Sequence, residues 1–250
     1  MSDVLLVDEP ADGVCRLTLN RPDQLNAISR ELMTRLLSEL RRIDADESVR
    51  VVILRGNGRA FCAGADLSEH FGAEDAMDIG RTDLWSLIEN LRVPVIAAVH
   101  GWAITGGFLL SYCCDLIVAS DDARFRDTHA SLGLVPTGGE SQRMPRRVGG
   151  ALARELMLTS RPLTAQEARE AGFVSRVVPR DELDATALEL AGMIAANSPR
   201  SVREIKMLIN VGLTGGFGTG MALELRNNAF GTANNVPNAD RDARIAAIHG

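Results

Sequence analysis

VPVIAAVHGWAITGGFLLSYCCDLIVAS (93–120) decides the fold. Its first part, VPVIAAVHG (93–101), is a short apolar run ending in glycine, and DLIVAS (115–120) is another. Between them TGGFLLSYCCD (105–115) reads as a glycine turn opening an apolar helical stretch. Apolar runs without alternation, separated by helix, suit strands of a parallel sheet covered on both faces. A helix start leaves backbone amides unpaired, so the turn at 105–107 could hold negative charge. No acid or base stands in that first helical turn.

The same alternation extends outward. VLLV (4–7) and VCRLTL (14–19) read as a hairpin around EPADG. Ser29 reads as the N-cap of a helix with Leu32, Leu36, Leu37, Leu40 and Ile43 on one face. VVILRG (51–56) is a further apolar strand. From about 151 helices dominate: ALARELML, TAQEAREAG, then DELDATALELAGMIAA with Asp181 as its expected cap. Asn197-Ser198-Pro199 breaks that run. GLTGGFGTG (212–220) follows, read as a flexible connection between helices, because a dinucleotide fingerprint needs a strand before it. The expectation is an α/β core over 1–196 and a helical C-terminal extension over 197–250.

Composition narrows the function. Of 250 residues 46% are hydrophobic and 24% charged, as in a globular protein. A formal charge of −6 without a long basic run argues against a nucleic-acid partner. No apolar run reaches the roughly 18 residues of a membrane span, and MSDVLLVDEPADG carries no basic leader region. Cys15, Cys62, Cys113 and Cys114 show no C-x-x-C spacing, which fits a reduced, cytoplasmic setting and no metal.

Two segments carry chemistry. GRAFCAGADLSE (58–69) follows VVILRG, and HGWAITGGFLLSYCCD (100–115) follows VPVIAAVHG. Each reads as a strand, a turn of small residues and a helix, so both turns would emerge at the carboxyl end of one parallel sheet. Side by side they could aim two amides at one oxygen as an oxyanion hole. Tight strand–helix packing would require the same small residues, and spacing alone leaves both readings open.

With NRPDQLNAIS (20–29), CDLIVASDDARF, LGLVP, QRMPRRVGG, LTSRPLTAQEAREAGFVSRVVP (158–179) and SPRSVREIK, these segments resemble the enoyl-CoA hydratase/isomerase (crotonase) family from about residue 4 to 210. The resemblance implies a crotonase-type ββα spiral whose C-terminal helices assemble homotrimers or dimers of trimers. It implies an acyl-CoA thioester as substrate, with coenzyme A part of that substrate and no separate cofactor. By position the family's two oxyanion amides fall on Ala65 and Gly106. Substrate contacts fall on Ala27, Ala63, Asp66, Leu67 and Leu109, with Arg59 placed to meet CoA phosphates. The two glutamates with which hydratases of the family flank a water fall on Leu109 and His129. A third acid position, used by some isomerases and a dehalogenase, falls on Thr137. None of the three is acidic here.

Other residues must then move protons. His129 titrates near neutral pH, and Asp127, two residues earlier in an extended strand, would share its face and orient it. Glu140 is the new carboxylate nearby. Against these stand a structural histidine and a solvated acid favoured by a helix start. His100 reads as packed at a strand end, His70 as rimming the pocket and His249 as terminal. Cys62 reads as a buried thiol, and Cys113 and Cys114 as packing residues. Arg55 joins Arg59 as a candidate phosphate contact. The tail NADRDARIAAIHG lacks the aromatic-and-lysine pattern with which many family members close over CoA. Three functions stay in view: an acyl-CoA enzyme, a non-catalytic acyl-CoA binder and, last, a Ser/His hydrolase on a related spiral. For the hydrolase no serine stands at a nucleophile turn with a histidine partner.

Overall fold

VLLV and VCRLTL pair as expected, in a computed structural model that describes residues 3–69, 79–229 and 246. Strand β1 runs Leu5–Ala11 and β2 Val14–Leu19, antiparallel, with an irregularity between Asp8 and Ala11. The turn is therefore tighter than EPADG, with Gly13 at φ +70°. Ser29 caps α1 (Arg30–Ala45): its Oγ accepts from the Leu32 amide at 3.1 Å. Leu32, Leu36, Leu40 and Ile43 are buried and Leu37 is half-buried, one stripe laid against the sheet.

The apolar runs become β3 (Val51–Gly56), β4 (Val95–Val99) after helix α2 (Ile79–Asn90), and β6 (Leu116–Ser120). Between β4 and β6 lie β5 (Trp102–Ile104) and α3 (Gly106–Tyr112). Strand β7 (Arg124–Arg126) precedes α4 (Glu140–Val148) and α5 (Gly150–Thr159). Then come β8 (Leu163–Thr164), α6 (Ala165–Glu170), β9 (Arg176–Val178) and α7 (Leu183–Ala195).

The larger sheet has the order β1-β2-β3-β4-β6-β9, and every pairing after the hairpin is parallel. Alternate residues of each strand enter different cores. Val52, Leu54 and Ala97 pack with α1 and α3 residues, while Val51, Ile53, Ile96 and Val118 pack against Leu183, Ala187 and Ala191 of α7. Burial on both faces is why these strands read as unbroken apolar runs.

The smaller sheet, β5-β7-β8, places the site. Leaving β3 at its carboxyl end, the chain runs beside β5: Cys62 pairs in parallel with Ala103, and Ile28 with Ala65. The chains from β3 and β4 thus part from the first sheet and pair again in a second layer.

Some local expectations change. No helix follows Ala65 in the described residues up to Glu69; the segment is a turn held by Ser68 on Asp66. Asp181 does not cap α7. It lies in a 3-10 turn, Arg180–Glu182, that leads straight into the helix, leaving no extended cap position for its side chain.

The break at Asn197–Ser198 is present, and α8 begins at Pro199 and ends at Gly215. The chain forms two compact units, Met1–Val202 and Arg203–Gly250. In the second, GLTGGFGTG is not a loop. It is the end of α8 and the start of α9 (Phe217–Ala229), broken at Gly216 with φ +86°. The glycines serve close helix approach: a Cβ on Gly220 would lie 3.0 Å from Gly212 Cα. Among the described residues no helix is long and apolar enough to cross a membrane.

Candidate active site

Gly64 and Gly106 bring the two small-residue turns into contact. A Cβ on Gly64, at φ +89°, would sit 2.7 Å from the Ile104 carbonyl oxygen and 3.2 Å from the Gly106 nitrogen. Gly107 lies so close to the Cys62 carbonyl that no side chain fits. Both packing and amide presentation therefore need these glycines. The Ile28 strand bond uses the amide of Asp66 and the carbonyl of Gly64, which turns the Ala65 amide the other way. Neither the Ala65 nor the Gly106 amide has an acceptor among the described residues.

The residue before Gly106 is strained. Thr105 has φ +47°, uncommon for a β-branched side chain. Its amide donates to the Arg126 carbonyl at 2.7 Å, and its Oγ1 lies 2.6 Å from Thr128 Oγ1 and accepts the Thr128 amide at 3.1 Å. These bonds hold the Gly106 turn against the segment that carries His129.

Asp127 and His129 are brought together, but not by strand pitch. Strand β7 ends at Arg126, and His129 has helical angles at the head of a 3-10 turn. Asp127 Oδ1 accepts both the His129 amide and Nδ1–H, each at 2.9 Å. That double bond fixes the tautomer, leaving Nε2 as the proton-accepting nitrogen of the neutral ring. Asp127 is 1% exposed. Its hydrogen bond and charge hold His129 above the ordinary histidine value, against burial, and Glu140 adds to the effect.

Glu140 is the first residue of α4 and only 4% exposed, so it is not a solvated helix-start acid. Its Oε2 accepts the Gly138 amide at 2.9 Å. Around Gly138 three groups converge: a Cβ there would lie 2.5 Å from Leu109 Cδ2 and 3.1 Å from both Glu140 Oε1 and Trp85 Nε1. Leu109 is buried, which makes that wall apolar. Thr137 is exposed.

Other candidates divide. Ala27 is buried and Ala63 half-buried, their amides bonded to the carbonyls of Gln24 and Leu25. Asp66 is engaged: Ser68, with Arg21 at 2.8 Å, holds its carboxyl below the usual range. Leu67 is 73% exposed. Arg59 is exposed, whereas Arg55 is tied to Asp184 and so is not an open phosphate ligand. His100 is buried, its Nε2 3.1 Å from the Gly58 carbonyl oxygen, and burial lowers its pKa. Burial pushes the Cys62 thiol up to about 12, an inert value. His70 and His249 lie outside the described residues, as does the tail apart from residue 246. Among the described residues no cluster of three or more metal-ligating side chains occurs.

A groove of about 500 Å³ opens beside His129 and Asp127, lined further by Leu134, Pro136, Ala153 and Met157. Ala65, Gly106 and Leu109 do not line this groove.

The model of the enoyl-CoA hydratase/isomerase family matches residues 9–234. The chain belongs to that family. It is 39% identical over 198 residues to a 2,3-dehydroadipyl-CoA hydratase of Escherichia coli, covering 78% of each chain. Its fold matches the crystal structure of an enoyl-CoA hydratase from Bacillus anthracis with a TM-score of 0.90 and 36% identity, covering 98% of this chain and 96% of that one. A monofunctional enoyl-CoA isomerase from M. smegmatis matches with a TM-score of 0.78 and 35% identity, over 88% and 99%. The fold is thus the expected crotonase type, with helices at the C-terminus. Sequence reasoning did not single out Trp85 of α2, whose Nε1 reaches the Gly138 turn beside Leu109 and Glu140 and which carries no motif.

Proposed function

We propose that the chain is an acyl-CoA enzyme that stabilises a thioester enolate at the Ala65 and Gly106 amides while His129 carries the proton. The observation that supports this most is the contact of two turns whose outward amides have no acceptor among the described residues. As a thioester loses a proton next to its carbonyl, negative charge collects on the carbonyl oxygen. Two fixed donors facing that oxygen lower the barrier.

His129 is the base in this reading. Neutral imidazole takes the proton on Nε2, and Asp127 stabilises the resulting cation through Nδ1–H. Returning the proton to a different carbon shifts the double bond, a reaction that one base can complete. Hydration by a carboxylate pair is disfavoured, because Leu109 supplies neither charge nor hydrogen bond for a water. The acyl group meets the apolar wall of Leu109 and Trp85, and Arg59 meets CoA phosphates. No cofactor or metal beyond the substrate's own coenzyme A enters, and the four cysteines, none in a disulfide, suit a reducing, cytoplasmic setting. The C-terminal helices assemble a trimer or a dimer of trimers.

The test pairs binding with exchange. A panel of short, medium and long acyl-CoAs is titrated by calorimetry, and each is incubated in deuterated water for mass spectrometry. Saturable binding with deuterium entering the acyl chain is expected. Binding without exchange across the panel makes the chain a non-catalytic acyl-CoA binder, and no binding ends the reading.

A further inference from the structure

Thr105 joins the end of β5 to Gly106, and its backbone is unlike that of the other residues with positive φ. Leu25 and Ser160 close helical turns in the ordinary left-handed region, at ψ +35° and +25°. Thr105 combines φ +47° with ψ −99°, outside that region, and carries a β-branched side chain. Such a conformation persists only where the surroundings over-determine it, and residues of this kind gather at functional sites. The Gly106 N–H belongs to the peptide plane that the Thr105 ψ orients. Relaxing that torsion would turn the N–H away from its present direction.

Every polar group of Thr105 is engaged. Its amide donates to the Arg126 carbonyl at 2.7 Å, and its carbonyl accepts the Leu109 amide at 2.8 Å. Any residue at this position could make those two bonds. The hydroxyl adds two more, past the point where the β5–β7 pairing ends at Ile104 and Arg126. Thr105 Oγ1 lies 2.6 Å from Thr128 Oγ1 and accepts the Thr128 amide at 3.1 Å. Both threonines are half-buried, which limits competition from water. Thr128 in turn lies between Asp127 and His129, whose own two bonds are each 2.9 Å. One hydroxyl pair therefore links the neighbour of the Gly106 amide to the neighbour of His129.

We propose that Thr105 is a positioning residue: its hydroxyl, bonded to Thr128, holds the strained turn that aims the Gly106 amide at the thioester oxygen. The same bonds keep that amide in register with the loop that carries His129. The inference rests on Gly106 being an oxyanion donor, as in the function proposed above. Thr105 touches no substrate atom in this account and acts only through the Gly106 peptide. Its contribution is therefore to the transition state, where charge on the oxygen is greatest, and hardly to ground-state binding.

The experiment measures deuterium exchange into butyryl-CoA and, by infrared difference spectroscopy, the carbonyl band of bound butyryl-CoA carrying 13C at that carbon. Thr105→Val keeps the side-chain shape and removes the hydroxyl. Its kcat should fall about 10²-fold, as when one oxyanion donor is lost, with KM little changed. Thr105→Ser keeps the hydroxyl and should stay within about threefold of wild type. Thr105→Gly gives up the bonds but also the strain, so its loss should lie between those two. A residue that only fills space gives the opposite order, valine mildest and glycine worst, and that order overturns the proposal. Thr128→Val added to Thr105→Val should cost nothing further, and losses that add would overturn it too. The band separates this proposal from the enzyme reading. It should be lowered in wild type and move back toward free butyryl-CoA in Thr105→Val, whether or not protons exchange. A lowered band that Thr105→Val leaves in place removes Thr105 and keeps the oxyanion hole. A wild-type band that is not lowered removes both.

Discussion

Cys62 and Ala103 face one another as a parallel pair, and Ala65 and Gly106 stand three residues beyond each of them. Equal spacing past a paired position is what brings two distant amides to one place. The second sheet therefore acts as a ruler for the site.

Gly64→Ala tests that ruler. Gly64 needs φ +89°, and its added Cβ would press on the Ile104 carbonyl and the Gly106 nitrogen. The turn must open, displacing at least one donor. A fall of about 10²–10³-fold in kcat is expected, the usual cost of losing one oxyanion donor. Gly106→Ala is the control: its Cβ would meet Gly64 Cα at 3.4 Å, an ordinary contact, so most of the rate should survive. Equal losses in both variants would separate the turns from the chemistry.

The Asp127–His129 pair fixes a pH dependence. Asp127 raises the His129 pKa above the ordinary histidine value of 6.5, and a base must be neutral to accept a proton. The rate should rise with pH through that elevated midpoint. Asp127→Asn should move the limb down in pH while lowering the plateau. Stability carries the same sign: a raised folded pKa adds stability below the unfolded value that is lost as pH rises through the folded one. Urea unfolding should therefore separate wild type from His129→Ala more at pH 5.5 than at pH 9. A limb that ignores Asp127→Asn would sink the assignment.

How far the sequence carried the fold depended on what each residue signals. Val52, Leu54 and Ala97 are apolar because both sheet faces are covered, and that pattern is visible in one dimension. Ser29 caps its helix by a local bond, equally legible. Glu140 was not: whether an acid at a helix start is solvated depends on α3 and α2 closing over it, and a one-dimensional string does not record that. Asp127 reached His129 by a turn rather than a strand, because β7 stops at Arg126. In GLTGGFGTG the glycines suggested looseness, yet Gly212 and Gly220 permit two helix backbones to approach closely.

Assembly is a further expectation. Within the second unit Ile205, Ile209 and Leu213 lie four residues apart on α8 and are all exposed, an apolar stripe along one helix. Phe217 at the start of α9 is 83% exposed. A chain of 26.9 kDa should therefore scatter light as a trimer or hexamer, and Ile209→Asp should shift it toward smaller species. A monomer at micromolar concentration would contradict this.

Hydration of crotonyl-CoA should be slow or absent in the wild-type protein. Water must be deprotonated as it adds to the double bond, and general acid–base help is typically about 10²–10⁴-fold. Leu109 is buried and apolar at the first glutamate position implied by the family pattern, so that share of the rate is missing. Leu109→Glu alone should not restore it. The new carboxylate would enter a wall already holding Glu140 near Gly138, where two buried like charges repel each other. His129 would still occupy the partner position. Leu109→Glu with His129→Glu and Glu140→Gly rebuilds the carboxylate pair without the competing acid, and hydration should rise above wild type in a spectrophotometric assay. A wild-type rate already equal to that of an ordinary hydratase would instead put water activation on Glu140, and Glu140→Gln should then abolish it.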